Sequence, residues 1–359
     1  MRFKLTHLIT LVIVFIHIGL FMHFFSAPKP KAKTEVSDEP PIPAEQQLNQ
    51  QEAEQPLIGP PLPQGKTQSQ PSLEVEYIAP YSQAFFRQDL RQLPANIDKM
   101  MSAVPACVVV DLDGRRLLYA KDADTPRPIA SITKMMTTYL AVKKMHASNG
   151  ALSLSTPIKV SSAASKIKER RVWLSPTETF TFDELLKASL VHSANDCAYL
   201  LAEAIGGSEQ AFVAEMNKEA LALGCKSLKY YNANGLPSTG GRENMGSPIE
   251  LAYLTLHLMK YPEIMRWTKV KVEYLRENDA AFIKRNGGPT MLTSSNKLLG
   301  KCQGVNGMKT GFTNKAGHCI VATCEREGRR IAVVVLGGNK ERDRIVSNLI
   351  EWAYGSGLK

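Results

Sequence analysis

The stretch Pro128-Ile129-Ala130-Ser131-Ile132-Thr133-Lys134-Met135-Met136-Thr137-Thr138-Tyr139-Leu140 decides how the rest of the chain is read. A serine that opens a helix places its hydroxyl at the positive end of the helix dipole, and a lysine three residues on lies one turn away on the same face. Ser131 and Lys134 are therefore placed to touch. A nucleophile and its base require that contact, once something lowers the ammonium pKa from about 10.4 towards neutrality. The spacing alone is not diagnostic, because Ser-x-x-Lys also occurs at Ser26/Lys29, Ser165/Lys168, Ser294/Lys297 and Ser356/Lys359. Context singles out Ser131: it follows an apolar strand and hairpin, and it starts an apolar helix that should run to about residue 145. The competing reading is a helix N-cap serine beside a surface lysine.

Working outward, the folded part is expected to begin near residue 73. A helical stretch at 81–101 leads to a strand at 106–111, the turn Asp113-Gly114 and a strand at 116–121, which together form a hairpin. Residues 153–261 are mostly helical in pattern, with amphipathic runs at 182–205 and 209–223. The chain then reverts to strands at 307–312, 318–325 and 329–336, separated by the turn signals Asn314-Lys315-Ala316-Gly317 and Arg326-Glu327-Gly328. A closing helix is expected at 341–354. Two terminal strand groups around a helical insertion predict an α/β (α+β) fold, with an antiparallel sheet assembled from both ends of the domain and helices packed on it.

The first 72 residues have a different character. Residues 8–25 form an almost unbroken apolar run, at the lower limit for a helix that crosses a bilayer. A signal-peptide cleavage after Ala27 would need a small residue where Phe25 stands, so residues 1–27 are expected to be an uncleaved transmembrane anchor, with a signal peptide as the alternative. Arg2 and Lys4 before the run are answered by Lys29, Lys31 and Lys33 after it, so flanking charge does not set its orientation. Residues 28–72 contain ten prolines and no aromatic residue. Such a segment cannot bury enough apolar area to offset ordering and reads as a disordered tether.

Composition narrows the classes. Hydrophobic content of 44% and charged content of 22% suit a globular enzyme, and the net charge of +10 favours anionic partners without choosing among them. The six cysteines show no Cys-x-x-Cys pair and no paired histidine spacing, which argues against a metal site. Their even number permits disulfides in an exported protein, although Cys107 and Cys319 fall inside apolar strand patterns where buried thiols are expected. No basic-aromatic array suggests nucleic-acid binding. No Gly-x-Ser-x-Gly elbow exists for a Ser-His-Asp hydrolase.

Two further stretches have the residue types that a serine-lysine site needs. His192-Ser193-Ala194-Asn195-Asp196 interrupts a helical pattern and supplies a hydroxyl that can relay a proton and an amide that can orient a carbonyl. Ser-x-Asn recurs at Ser294-Ser295-Asn296, so it too is weak alone. Lys309-Thr310-Gly311 lies on the strand that starts the final meander, where a glycine permits close backbone approach.

The three elements in this order resemble the penicillin-binding-protein and serine β-lactamase superfamily, most closely its S11 D-alanyl-D-alanine carboxypeptidases. The resemblance covers residues 73–359 and extends to Thr181-Phe182-Asp183-Glu184-Leu185-Leu186 and Gly304-Val305-Asn306-Gly307-Met308-Lys309. It implies a β-lactamase/transpeptidase-like catalytic domain with a five-stranded antiparallel sheet and an inserted helical subdomain. It implies Ser131 as the acyl-forming nucleophile, Lys134 as its base, Ser193 as proton shuttle and Asn195 as a ligand of the substrate amide. Lys309 and Thr310 would meet the substrate's terminal carboxylate, and the Lys309 charge would help keep Lys134 neutral. Gly311 would allow the approach, and the N–H groups of Ser131 and Phe312 would form the oxyanion hole. Arg342 fits the carboxylate-binding arginine by spacing, with Arg344 as the alternative.

The implied partners are peptidoglycan stem peptides, with β-lactam antibiotics as acylating inhibitors and the membrane as an anchor point. No metal or organic cofactor is implied, and the catalytic domain would act outside the cytoplasmic membrane in cell-wall organisation. Family carboxypeptidases continue into a β-rich second domain and a C-terminal anchor, whereas this sequence reaches Lys359 just after the closing helix. The N-terminal run is therefore expected to replace that anchor, and endopeptidase cleavage of crosslinks is the alternative activity. A β-lactamase of class A would need a glutamate some 35 residues beyond Ser-x-Asn, and residues 220–242 contain no acidic residue. A non-catalytic wall-binding protein would predict a broken motif, and none is broken. Phe312 and the stretch Glu169-Arg170-Arg171-Val172-Trp173 depart from the usual pattern and bear on specificity.

Overall fold

Valine-rich strands build the centre of the molecule. The computed structural model describes residues 77–238 and 240–357; the apolar run at 8–25 and the proline-rich stretch at 28–72 lie outside the described residues. Among the described residues, no helix is long and apolar enough to cross a membrane. The main sheet comprises β1 (Arg87–Gln88), β2 (Ala106–Asp111), β3 (Arg116–Lys121), β4 (Val305–Thr313), β5 (Gly317–Arg326) and β6 (Arg329–Gly338). Its spatial order is β1-β3-β2-β6-β5-β4. β2 and β6 pair antiparallel with Val108 opposite Val334, so the two ends of the domain meet in one sheet.

Both faces of this sheet are covered, which is why β2 and β6 are continuous apolar runs instead of alternating ones. Val108, Val110, Ala332 and Val334 face a core shared with the inserted helices. Cys107, Val109, Val333 and Val335 face a second core closed by α1 (Ala95–Met101) and by Ile345, Val346 and Leu349 of α7 (Arg342–Trp352). Between the strand groups lie α2 (Lys134–Ala147), α3 (Phe182–Lys187), α4 (Asn195–Gly206), α5 (Glu209–Ala222) and α6 (Pro248–Leu258). The Thr181 hydroxyl accepts from Glu184 N–H while the Glu184 carboxylate accepts from Thr181 N–H, a reciprocal cap that fixes the start of α3.

Two expectations are corrected. The sheet has a sixth strand, because β1 pairs in parallel with β3 and adds to the five antiparallel ones. The helix expected from residue 81 begins only at Ala95, after Pro94. A proline disfavours helix in the residue before it and has no N–H to give, so the preceding segment stays extended. It is fastened to β3 by an ion pair from Arg116 to Asp89 at 3.0 Å. The interruption expected at 192–196 within the amphipathic run 182–205 is present, as a π-helical turn, Ala188–His192, followed by Ser193 with a left-handed φ of 64°. All six cysteines are buried free thiols.

Candidate active site

Ser131 sits in a 3-10 turn, Ala130–Thr133, and α2 proper begins at Lys134. Neither half of the N-cap alternative holds, since Ser131 caps no α-helix and Lys134 is fully buried. The Lys134 ammonium donates to Ser131 Oγ at 3.1 Å, to Asn195 Oδ1 at 2.6 Å and to the Asn234 carbonyl at 2.6 Å. Burial lowers its pKa from 10.5 to about 7; the nearby Arg170 charge adds to the effect, and Asp196 opposes it. The lysine is thus poised to be neutral near physiological pH, with a lone pair within reach of the serine proton.

The break at Ser193 turns its hydroxyl towards β4, where Lys309 Nζ donates to it at 2.9 Å and to the Thr310 carbonyl at 3.0 Å. Lys309 is 2% exposed, and burial holds its pKa well below the ordinary lysine range, with Lys134 contributing. Gly311 is required by proximity. A side-chain carbon there would lie 2.7 Å from the Ile129 carbonyl oxygen and 3.1 Å from Ser131 N, so only a bare backbone lets β4 run against the Ser131 turn. On the other side, a carbon at Gly235 would lie 2.1 Å from the Ala130 carbonyl, and its φ is +87°. The Ser131 turn is therefore gripped from both sides by glycines.

A cleft of about 530 Å³ opens over this network, lined among others by Ser131, Ser193, Thr310, Gly311, Phe312 and Arg342. Lys134, Asn195 and Lys309 lie beneath as buried supports. All nine sequence-expected residues are thus brought together. Arg342 is 7% exposed and donates to the Cys319 carbonyl at 3.0 Å and to Asp343, whereas Arg344 is exposed and pairs with Glu341 at 2.7 Å. Asn195 is more enclosed than expected: its Oδ1 accepts from Lys134, and its Nδ2 donates to the Glu169 carbonyl at 3.0 Å. His192 Nδ1 accepts from Thr293 N–H at 3.4 Å, a rim contact and not one with Ser131.

Sequence reasoning missed several groups. Asn234 offers its carbonyl from the turn Asn232-Ala233-Asn234-Gly235, where clustered turn formers were the only signal. The repeated Ser-x-Asn and Ser-x-x-Lys at residues 294–297 are no idle repeats, since Ser295 shares a short hydrogen bond with Thr310 and both Ser295 and Lys297 line the cleft. Arg170 lines it too. It is Arg170, not the expected Lys309, that adds to burial in lowering Lys134.

Comparison with known proteins shows the family and the fold. The family model of the S11 peptidases, described as D-alanyl-D-alanine carboxypeptidase, matches residues 95–340. The carboxypeptidase DacF of Bacillus subtilis is 32% identical over 274 residues, 76% of this chain and 66% of the relative. A D-alanyl-D-alanine endopeptidase of Pseudomonas aeruginosa is 29% identical over 64% of this chain and 70% of its own length. The ampicillin-bound penicillin-binding protein D2 of Listeria monocytogenes superposes with a TM-score of 0.59 at 28% identity, covering 72% of this chain and 98% of that one. The chain spans slightly less than two thirds of the first carboxypeptidases it matches. The sheet with its inserted helices is the β-lactamase/transpeptidase-like fold, and the chain belongs to the S11 D-alanyl-D-alanine carboxypeptidase family.

Proposed function

We propose that the protein is a serine DD-peptidase that cleaves the terminal D-Ala-D-Ala bond of peptidoglycan stem peptides. The observation that carries this reading is the fully buried Lys134, held 3.1 Å from Ser131 Oγ with its pKa lowered to about 7. Neutral Lys134 takes the Ser131 proton as the oxygen attacks the penultimate D-Ala carbonyl. The N–H groups of Ser131 and Phe312 receive the oxyanion, and Ser193, polarised by Lys309, relays the proton taken by Lys134 to the leaving D-Ala amine, which restores neutral Lys134. Asn195 fixes Lys134 and presents the edge of its turn to the substrate amide. Lys309, Thr310 and Arg342 meet the terminal carboxylate, and water then frees the acyl group from Ser131. β-Lactams acylate the same serine.

Residues 8–25 act as an anchor in the cytoplasmic membrane, and the proline-rich tether presents the catalytic domain outside it. A family relative named as an endopeptidase supports a second reading, cleavage of D-Ala crosslinks. Digesting defined monomeric and crosslinked muropeptides separates the two. Loss of one D-Ala from monomers alone supports the carboxypeptidase, and conversion of dimers to monomers supports the endopeptidase. Release of a soluble, active domain on removal of residues 1–72 checks the anchor. A mature N-terminus near Pro28 in the extracytoplasmic fraction contradicts it.

A further inference from the structure

One wall of the cleft has a cation that the proposed chemistry does not use. The inserted helical region contributes only Arg170 and Ser193 to the cleft lining, the remainder coming from the Ser131 turn and the sheet side. Arg170 is exposed, and its Nε donates to the His192 carbonyl at 2.6 Å. Among the described residues it pairs with no carboxylate, in contrast to the cleft's other arginine, the buried Arg342, which holds Asp343. Its two terminal nitrogens are left as a fork of fixed direction, the arrangement that takes a carboxylate through two parallel hydrogen bonds.

The loop that presents Arg170 is strained and firmly held. Glu169, Arg170 and Trp173 all have positive φ, at 59°, 33° and 60°, without being glycine. Each such residue costs about 1–3 kcal/mol and persists only where its surroundings over-determine it. Here the grip is on the main chain. The Arg170 carbonyl accepts from Asn195 N–H at 2.9 Å, and the Asp196 carboxylate accepts from Val172 and Leu174 N–H at 3.0 and 3.3 Å. Arg276 donates to the Val172 and Trp173 carbonyls at 3.1 and 3.3 Å. The side chains are left for other use: Trp173 is 70% exposed, with the Arg171 guanidinium 3.6 Å above its ring.

On the peptidase reading, the substrate's terminal carboxylate already has Lys309, Thr310 and Arg342 on the sheet side. A second cation on the helical side matches a second anion, which must belong to the acyl part of the peptide. Resting on that reading, we propose that Arg170 is a specificity residue that binds a carboxylate on the substrate N-terminal to the scissile D-Ala-D-Ala bond. The preferred stem peptide then carries a free acid on its acyl side, and amidation of that acid weakens recognition.

The test compares two N-acetylated tripeptides ending in D-Ala-D-Ala, one beginning with L-2-aminoadipate and the other with its side-chain amide. Release of D-Ala is measured with the full-length protein, as wild type, Arg170→Gln and Arg170→Lys. The wild type is expected to favour the acid in kcat/KM by about tenfold or more, a charge-assisted contact being set against a neutral one. Arg170→Gln should bring that ratio to within about twofold, and Arg170→Lys should restore only part of it, because an ammonium lacks the fork. Each ratio is internal to one variant, so a general loss of activity or fold does not mimic it. A ratio in Arg170→Gln equal to the wild type's, or no preference in the wild type, overturns this inference alone. If the wild type releases D-Ala from neither peptide, the peptidase reading falls and takes the inference with it.

Discussion

Lys309 donates a hydrogen bond to Ser193 at 2.9 Å, joining strand β4 to a turn 116 residues earlier in the chain. Both residues are 2% exposed. The ammonium has hydroxyl and carbonyl acceptors but no carboxylate among the described residues, and burial lowers its pKa. A buried cation held this way is completed by an anion from outside, since an opposite charge restores its charged form.

Lys309→Ala is therefore expected to lose kcat/KM on a D-Ala-D-Ala peptide by orders of magnitude while keeping the fold. Removing a charge that is buried without a carboxylate should not lower the melting temperature. Steady-state kinetics and a thermal melt check the two halves separately. Activity within a few-fold of wild type would show that the carboxylate binds elsewhere.

The Lys134 pKa of about 7 makes acylation pH-dependent. The base works only when neutral, so the acylation rate by a penicillin should rise with pH, level off above about 7, and show no further rise near the ordinary lysine value. Stability follows the same group. Between about 7 and 10.5 the unfolded chain binds a proton that the folded chain does not, so this lysine's contribution to stability improves as pH rises through that window. Below it both states are protonated, and the penalty for burying the charge is complete. A stopped-flow pH series that placed the limb near 10 would remove Lys134 from the role of base.

How much of this was legible depended on whether the signal was local. Strands β2, β5 and β6 were readable because runs such as Val108-Val109-Val110 suit only a sheet covered on both faces. Ser131, Ser193 and Lys309 were readable because each lies within a short motif. The interruption at Ser193 was legible, but its left-handed turn was not, because the bonds that hold it open come from Lys309 and from the Arg170 carbonyl, far away in sequence. Asn234 was invisible for a similar reason: it acts through its main-chain carbonyl, which any residue would supply. The extended segment at 87–88 depended on Pro94 and on a distant ion pair to Arg116.

Gly311→Ala tests whether backbone approach positions the nucleophile. The added carbon would meet the Ile129 carbonyl at 2.7 Å, and overpacking of this kind costs about 1–3 kcal/mol. Because the clash separates β4 from the Ser131 turn, acylation should fall by at least about tenfold, complete loss of one oxyanion donor being worth about 100- to 1000-fold. Gly355→Ala, where nothing lies within 4 Å, is the control and should leave both stability and acylation unchanged. Equal behaviour of the two variants would mean that the strand does not hold the serine in place.

The most direct measurement is the intact mass of the protein after exposure to benzylpenicillin, followed by peptide mapping. The wild type should gain one penicilloyl adduct, mapped to Ser131, and lose it slowly, while folded Ser131→Ala gains none. An adduct that persists in Ser131→Ala, or rapid penicillin hydrolysis by the wild type with no trapped adduct, would contradict the assignment of Ser131 and Lys134 as nucleophile and base.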